Sequence, residues 1–363
     1  MTEATTGVIG VVSPFGSWVR ETVRVGAHNR AHWVALRAAL SMGVPLVIAW
    51  QLGHLDWVLF LAFGAFSSVF GRHQGYRDRA RMQLGSGATI VATITLGTAV
   101  GAVAAGSLLA VAAMTVSSGI GLLLSRKNGW LPLGSLFFVF ASGATSSIAQ
   151  PVSNIPVAFV LCALAVLFSV GLGQLGRFTP AGRAGTKTPG PPVLTWRALL
   201  GAPGVRADAI RFAAGPLVAG GIATLVGIGH PYWAAVSATV PLVGVTLGAQ
   251  LTRATHRFVG TLIGVAVALL ILEANPSDGV MLAIVVVLQA FAELFVLRNY
   301  GLTVIGLTPL ALLLSHLASP VPVAQLAGDR ALETTIGVLV AVGIVLVTRL
   351  AHRRRPVAAG PAA

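Results

Sequence analysis

Charged residues and cysteine are both scarce in this chain. Asp, Glu, Lys and Arg make up 9% of its 363 residues, whereas a soluble domain carries roughly 25%. Hydrophobic residues account for 55% and the mean hydropathy is +0.86, which excludes a water-soluble surface. The one cysteine, Cys162, falls within an apolar run. An intramolecular disulfide is therefore excluded as well.

Motifs for enzymatic chemistry are also missing from the sequence. It carries no metal-ligand cluster, no pairing of a nucleophile with a base and no phosphate-binding loop. Glycine pairs carry no weight in a chain with 43 glycines. We therefore expect a protein that is not an enzyme and that needs no cofactor.

Long apolar runs fill most of the sequence. A membrane-spanning helix needs about 20 apolar residues, and runs of that order predict an all-α integral membrane protein with about twelve transmembrane helices. The predicted spans are 33–52, 55–71, 86–105, 107–124, 130–149, 154–176, 208–228, 231–250, 258–273, 279–297, 300–317 and 330–350.

The basic residues predict the orientation of these spans. They lie at both ends of the chain, in the central linker and in alternate loops, and Arg330 is the exception on the other side. By the positive-inside rule both termini are cytoplasmic, in a multi-pass protein of a bacterial-type inner membrane. The net charge of +14 then reflects topology and contact with anionic lipid rather than nucleic-acid binding.

Two sequence motifs recur 176 positions apart without a gap. Gly53-His54-x-x-Trp57 and Gln74-x-x-Arg77-x-x-x-Arg81 reappear as Gly229-His230-x-x-Trp233 and Gln250-x-x-Arg253-x-x-x-Arg257. The chain contains only 8 His and 7 Trp, so a chance match in register is improbable. A duplicated bundle of membrane helices is typical of transporters.

An even number of helices in each half makes both halves enter from the same side, so the repeats are predicted to be parallel, not inverted. The predicted divisions are an interfacial N-terminal segment at 1–32, a first six-helix repeat at 33–176, a Pro/Gly-rich linker at 177–207, a second six-helix repeat at 208–350 and a basic tail at 351–363.

The repeated residues allow a structural and a functional interpretation. His54, Trp57, His230 and Trp233 fit an aromatic belt at headgroup depth, or they line the outer mouth of a pathway between the repeats. Arg77 with Arg81, and Arg253 with Arg257, have i, i+4 spacing and share a helix face. These pairs fit topology signals, or a vestibule that concentrates anions and holds carboxylates bidentately.

Ionisable residues within spans form a second candidate group. Each costs about 2.5–3.5 kcal/mol or more at the helix centre, so it is expected to pair, line water or carry protons. Glu293 is predicted to couple transport to protons or to pair with Arg298. Glu333 is likewise predicted to couple transport to protons, or to pair with Arg330. Asn299, at the start of the eleventh span, joins the predicted pathway.

Four separated elements of the second half resemble the fusaric-acid-resistance-like proteins and the related aromatic acid exporters. They are His230-Pro231-Tyr232-Trp233-Ala234-Ala235, Thr252-Arg253-x-x-x-Arg257-x-x-Gly260-Thr261-x-x-Gly264, Asn299-Tyr300 to Thr308-Pro309, and Arg330-x-x-Glu333-Thr334-x-x-Gly337. The resemblance implies an inner-membrane exporter of small aromatic carboxylates driven by the proton-motive force.

Other interpretations remain open at this point. An anion-selective channel or uniporter needs no protonatable residue, and a scaffold for envelope assembly needs no transport at all. Many members of the family carry a sizeable cytoplasmic domain, where this chain has a short linker and tail. The resemblance does not imply a periplasmic adaptor as a partner. The expected partners are the lipid bilayer and a small organic anion. A homo-oligomer is compatible with the sequence, but no interface residue can be assigned.

Overall fold

The computed structural model describes residues 14–27, 31–178, 189–320 and 322–353. These residues form helices joined by short turns, which confirms the all-α prediction. The helices are α1 (Pro14–Val23), α2 (Ala31–Gln51), α3 (Val58–Ala65), α4 (Tyr76–Ala104), α5 (Leu108–Asn128), α6 (Leu136–Ser146), α7 (Asn154–Leu175), α8 (Trp196–Gly201), α9 (Val205–Val226), α10 (Tyr232–Thr239), α11 (Leu247–Glu273), α12 (Asp278–Phe295), α13 (Tyr300–Ala318) and α14 (Val323–Arg353).

Nine helices in the described ranges are long and apolar enough to cross a membrane. They are α2, α4, α5, α7, α9, α11, α12, α13 and α14. Large hydrophobic side chains face outward from them, and Leu225 and Leu270 are 77% and 75% exposed. An apolar surface of this extent indicates contact with lipid. The chain is therefore a multi-pass membrane protein.

Three of the twelve predicted spans are too short to cross a bilayer. The apolar segments Leu55–Val69, Leu136–Ser146 and Tyr232–Val243 contain α3, α6 and α10. Every residue of α3 and α10 is buried, so protein surrounds these half-length helices instead of lipid. A helix that ends at membrane depth is tolerated in that setting.

The predicted spans 55–71, 130–149 and 231–250 are thus corrected, because counting apolar residues does not detect turns. Gly71 and Gly134 have positive φ angles of 66° and 127° and bend the chain away from the helix. The span predicted at 258–273 is longer than expected, since it is the second part of the 27-residue helix α11.

The same kinds of helix contact occur in both halves. In the first half α3 packs against α7, α4 against α6 and α7, and α5 against α6. In the second half α10 packs against α14, α11 against α13 and α14, and α12 against α13. The halves meet through two matching pairs, α2 with α12 and α9 with α5. A common core of aromatic and aliphatic side chains joins them.

The N-terminal segment docks against the second half. The N–H of Gly26 donates to the carbonyl of Arg298 at 2.9 Å, and the guanidinium of Arg298 donates back to the carbonyl of Gly26 at 3.0 Å. The carbonyl of Thr22 accepts from Asn299 at 3.0 Å and lies 2.7 Å from Nε2 of His256. We call this end of the bundle, with loop 70–75, the basic end.

Parts of four predicted segments lie outside the described residues. They are residues 1–13 and 28–30 of the N-terminal segment, 179–188 of the linker, 321 of the second repeat and 354–363 of the tail. The described part of the linker returns to the basic end. There the N–H of Leu194 donates to the carbonyl of Lys127 at 2.7 Å, and Arg81 donates to the carbonyl of Pro191 at 3.2 Å.

Close packing of α3 on α7 gives a prediction for stability. A Cβ at Gly64 would lie 2.5 Å from the carbonyl oxygen of Cys162 and 2.7 Å from the Cβ of Ala165. We expect Gly64→Ala to destabilise the protein by about 1–3 kcal/mol through overpacking, measured as a lower melting temperature in detergent. Gly171→Ala in α7, where a Cβ would meet nothing within 4 Å, is the control. A Gly64→Ala melting temperature equal to that control would contradict the packing.

Candidate anion site

The first copy of the repeated motif lies at an exposed turn. The rings of His54 and Trp57 stack with their centroids 3.9 Å apart and 1° between their planes. Nδ1 of His54 lies 3.4 Å from Asp56, and both side chains are about half exposed. This arrangement fits an interfacial anchor, in which one side of an aromatic pair faces headgroups.

The second copy of the motif is inside the protein. Trp233 is 1% exposed, and its ring lies 3.7 Å from the guanidinium carbon of Arg330. His230 is half-buried, and its Nδ1 lies 3.1 Å from Oδ2 of Asp329. The sequence repeat therefore places the same residue types in two different environments.

The glycine of each copy is needed for a different reason. Gly53 has φ +78°, a left-handed conformation that only glycine adopts freely, and nothing would crowd a Cβ there. At Gly229 a Cβ would lie 2.5 Å from Oδ2 of Asp329. Glycine at the second position thus makes room for the carboxylate that holds His230.

The two arginine pairs also differ in burial. Arg77 and Arg81 are exposed, and Arg81 contacts Asp78 of its own helix at 3.7 Å. In the second half, Arg253 is half-buried above the ring of Tyr300, and Arg257 is 4% exposed. Only the second-half pair points into the bundle.

Arg257 and Arg330 form what we call the double-arginine cluster, together with Trp233 and Ser237. Nε of Arg257 donates to the hydroxyl of Ser237 at 3.1 Å. Arg330 is 2% exposed and lies within electrostatic reach of Arg257. Two cations therefore occupy one buried region between α10, α11 and α14.

The double-arginine cluster has unused hydrogen-bond donors. Nε and Nη1 of Arg330 and Nη2 of Arg257 are buried and have no protein partner. Within the described ranges neither arginine forms an ion pair with a carboxylate. Buried cations normally have an anionic partner, and guanidinium groups suit carboxylates in particular. The cluster therefore has the charge and the donors to bind a carboxylate ligand.

The predicted ion pair between Arg330 and Glu333 is not formed. Glu333 is fully buried, and its Oε1 accepts a hydrogen bond from the backbone N–H of His230 at 2.9 Å. Its Oε2 has no protein partner. Arg330 instead stacks on Trp233, while Glu333 bonds to the backbone of His230.

A cavity of about 370 Å³ opens beside this region, at the end of the bundle opposite the basic end. Its walls come from both halves and include Ser147, His230, Tyr232 and Ser315. The ring of Tyr232 lies 4.3 Å from that of Trp233. Tyr232 and His230 thus separate the cavity from the double-arginine cluster.

Glu293 has a different partner from the one expected. It forms a buried ion pair with Arg72, which reaches across from the first half, whereas Arg298 bonds to Gly26 and covers the ring of Phe295. The predicted pairing with Arg298 is therefore wrong. Loop 70–75 carries Arg72 to the end of α12, a proximity that sequence separation hides.

Arg37 lies beside this ion pair. It is within electrostatic reach of Glu293, Arg72 and Arg79, and its Nε and Nη2 are buried without a protein partner. The positive charge of these arginines also acts on His73 in loop 70–75. Burial, followed by the charges of Arg72, Arg79 and Arg37, lowers the pKa of His73 below its ordinary value.

Asn299 has a structural position at the basic end. Its side-chain oxygen accepts from the N–H of Leu302 at 3.1 Å and caps α13, while its amide nitrogen donates to the carbonyls of Thr22 and Arg24. These contacts do not bring Asn299 to the double-arginine cluster.

Several residues of these clusters were not predicted as site residues. Arg37 gave a clear signal, because it is an arginine inside a predicted span. Arg72 gave no signal through the repeat, because Gly248 occupies the corresponding position in the second half. Tyr232 and Ser237 follow the repeated histidine, but nothing in their local sequence marks them as site residues.

The family model described as fusaric acid resistance protein-like matches residues 218–344. This region contains the double-arginine cluster and Glu333, so the resemblance noted in the sequence is confirmed there. An uncharacterized membrane protein of Bacillus subtilis (strain 168), YvaC, is 36% identical over 90 residues, which is 25% of this chain and 14% of that protein. The matched part thus spans about one-seventh of the relative's length. No solved structure matches the chain significantly.

The unequal environments of the two motif tryptophans can be tested directly. We expect Trp233→Ala to destabilise the protein by about 3–5 kcal/mol, because a large buried side chain is removed, and Trp57→Ala to have a much smaller effect. The two variants are matched by their place in the repeat and would be compared by thermal unfolding in detergent. Equal losses of stability would contradict the different burial of the two copies.

Proposed function

We propose that the chain is an inner-membrane exporter of small organic anions, with aromatic carboxylates as the substrate class. The double-arginine cluster carries this proposal, because a buried pair of guanidinium groups without a protein carboxylate is suited to a substrate carboxylate. The family match and the nine long apolar helices support a transporter-type membrane protein rather than an enzyme.

The proposed architecture is two parallel six-helix repeats. The gapless spacing of 176 residues supports it, and so do the matching helix contacts of the two halves. In this arrangement α2 to α7 correspond in order to α9 to α14. The substrate would pass between the repeats, where transporters of duplicated design bind their substrates.

The proposed pathway uses mainly the second-half residues. A substrate leaving the double-arginine cluster would pass Trp233 and Tyr232 and reach the cavity beside His230. Arg253 would attract the anion from the basic end. His54 and Trp57 would act as interfacial anchors, and Arg77 and Arg81 as topology signals, since all four are accessible at the surface.

Proton coupling is proposed to involve Glu333 more directly than Glu293. Glu333 is close enough for its charge to act on Arg330, and one of its oxygens has no hydrogen-bond partner. His230 links it to the cavity, because the backbone N–H of His230 bonds to Glu333, its ring contacts Asp329, and the residue lines the cavity. A proton arriving by this route would neutralise Glu333 and so alter the charge beside the bound anion. Glu293 is held by Arg72 at the other end.

Flux measurements test the export proposal. Proteoliposomes loaded with 4-hydroxybenzoate would be assayed under an imposed potential, with and without a pH gradient. We expect Arg330→Gln and Arg257→Gln to reduce flux at low substrate concentration by roughly ten- to a hundredfold, the size of a lost charge-assisted hydrogen bond. The exposed Arg77→Gln is the control and should retain full flux.

The pH gradient distinguishes the transport modes. We expect flux in the wild type to follow the pH gradient and Glu333→Gln to abolish that dependence. Flux that follows the potential alone, at about 2.3 kcal/mol per charge for 100 mV, would indicate a channel or uniporter. Normal folding with no flux of any aromatic anion would favour the scaffold.

Labelling of introduced cysteines tests the proposed orientation. Cys162 is the only cysteine and is buried, so the wild type is the low-background control. We expect a membrane-impermeant thiol reagent to label His54→Cys in spheroplasts and Arg81→Cys only in inverted vesicles, because the basic end is proposed to be cytoplasmic. The opposite labelling pattern would contradict the proposed orientation.

A further inference from the structure

The basic end contains a second concentration of buried positive charge, distinct from the double-arginine cluster. Arg72 is buried and paired with Glu293, and Arg37 lies within electrostatic reach of both. We call Arg37, Arg72 and Glu293 the cross-half cluster, because Arg37 and Arg72 come from the first half and Glu293 from the second. One carboxylate faces two arginines here, so the cross-half cluster retains a net positive charge.

An apolar cavity of about 190 Å³ lies directly against Arg72. Its other walls are mainly apolar and come from both halves, and they include Val69, Leu131, Pro132 and Val296. An apolar protein cavity of roughly 150 Å³ is large enough to bind benzene. The cavity therefore has room for one aromatic ring, with Arg72 among the residues that line it.

We propose that this cavity and Arg72 form a binding site for a benzoate-like monocarboxylate, with Glu293 as a tethered competitor of the ligand. The ring would occupy the apolar cavity, and the carboxylate would take the place of the Glu293 carboxylate on Arg72. The released Glu293 would then pair with Arg37, whose Nε and Nη2 have no protein partner. Arg72 and Glu293 each have a partner before and after the exchange, and Arg37 gains one.

The exchange has a consequence for the contact between the halves. The Arg72–Glu293 ion pair ties loop 70–75 to the end of α12, at the interface where α2 packs on α12. With a ligand on Arg72, Glu293 would pair with Arg37 on α2 instead. This new ion pair would still join the two halves, but it would no longer hold loop 70–75. This inference rests on the proposed substrate class. It adds a site at the basic end, where the substrate would bind before it reaches the double-arginine cluster.

Equilibrium binding to the purified full-length protein in detergent tests the site. Benzoate would be titrated by calorimetry, with neutral benzamide and with ring-free acetate as ligand controls. A background with both Arg257→Gln and Arg330→Gln removes the contribution of the double-arginine cluster. In that background we expect benzoate to bind and both controls to bind at least tenfold more weakly, because each lacks one of the two groups that the site recognises.

Protein variants then identify the residues. We expect Arg72→Gln to weaken benzoate binding at least tenfold and Val296→Trp to block it by filling the cavity. Glu293→Gln should tighten binding severalfold, because the competing carboxylate is gone, and Arg77→Gln should leave binding unchanged. Tighter benzoate binding by Glu293→Gln and weaker benzoate binding by Arg72→Gln cannot both arise from misfolding. Benzamide binding as tight as benzoate, or Glu293→Gln binding no tighter than its parent, would overturn the inference.

The outcome is separable from that of the export proposal. Benzoate binding that depends on Arg72, without flux in proteoliposomes, would leave this site standing and refute export. Flux that depends on Arg330, without binding that depends on Arg72, would leave export standing and refute this site.

Discussion

A guanidinium group enclosed by apolar helices needs an anion, an aromatic face or a hydrogen-bond acceptor, because burial removes the water that would solvate it. The bundle meets this need in three ways. Arg72 has the carboxylate of Glu293, Arg330 has the face of Trp233, and Arg257 has the hydroxyl of Ser237. Two of these partners are neutral, so the positive charges of Arg257 and Arg330 are left uncompensated.

The division of labour between the halves follows from the same constraint. The second half supplies Trp233, Arg257, Arg330 and Glu333, all of them buried. The first half supplies Arg72 across the interface and carries its own copy of the motif at the surface. The double-arginine cluster thus belongs to the second half alone, whereas the ion pair of Arg72 with Glu293 joins the two halves.

Much of the framework could be predicted from the sequence, because apolar length and charge asymmetry act locally. The predicted spans 33–52 and 154–176 nearly coincide with α2 and α7. The half-length helices could not be predicted in this way, since burial of α3 and α10 depends on the helices around them.

The residues of the candidate anion site were predicted in part. Trp233 and Arg257 were found through the repeat, but the same repeat also suggested Trp57 and Arg81, whose surroundings differ. Arg72 is paired over a separation of 221 positions, which no local pattern reveals.

The docked N-terminal segment bears on how the chain is assembled. Residues 22–26 precede the first membrane helix in the chain, yet their partners His256, Arg298 and Asn299 belong to the second half. Domains made on the ribosome generally fold in order from the N-terminus, but this segment must wait until ten of the twelve apolar segments have been inserted. Its docking therefore follows insertion of most of the bundle, so a segment translated before both halves is among the last to reach its final contacts.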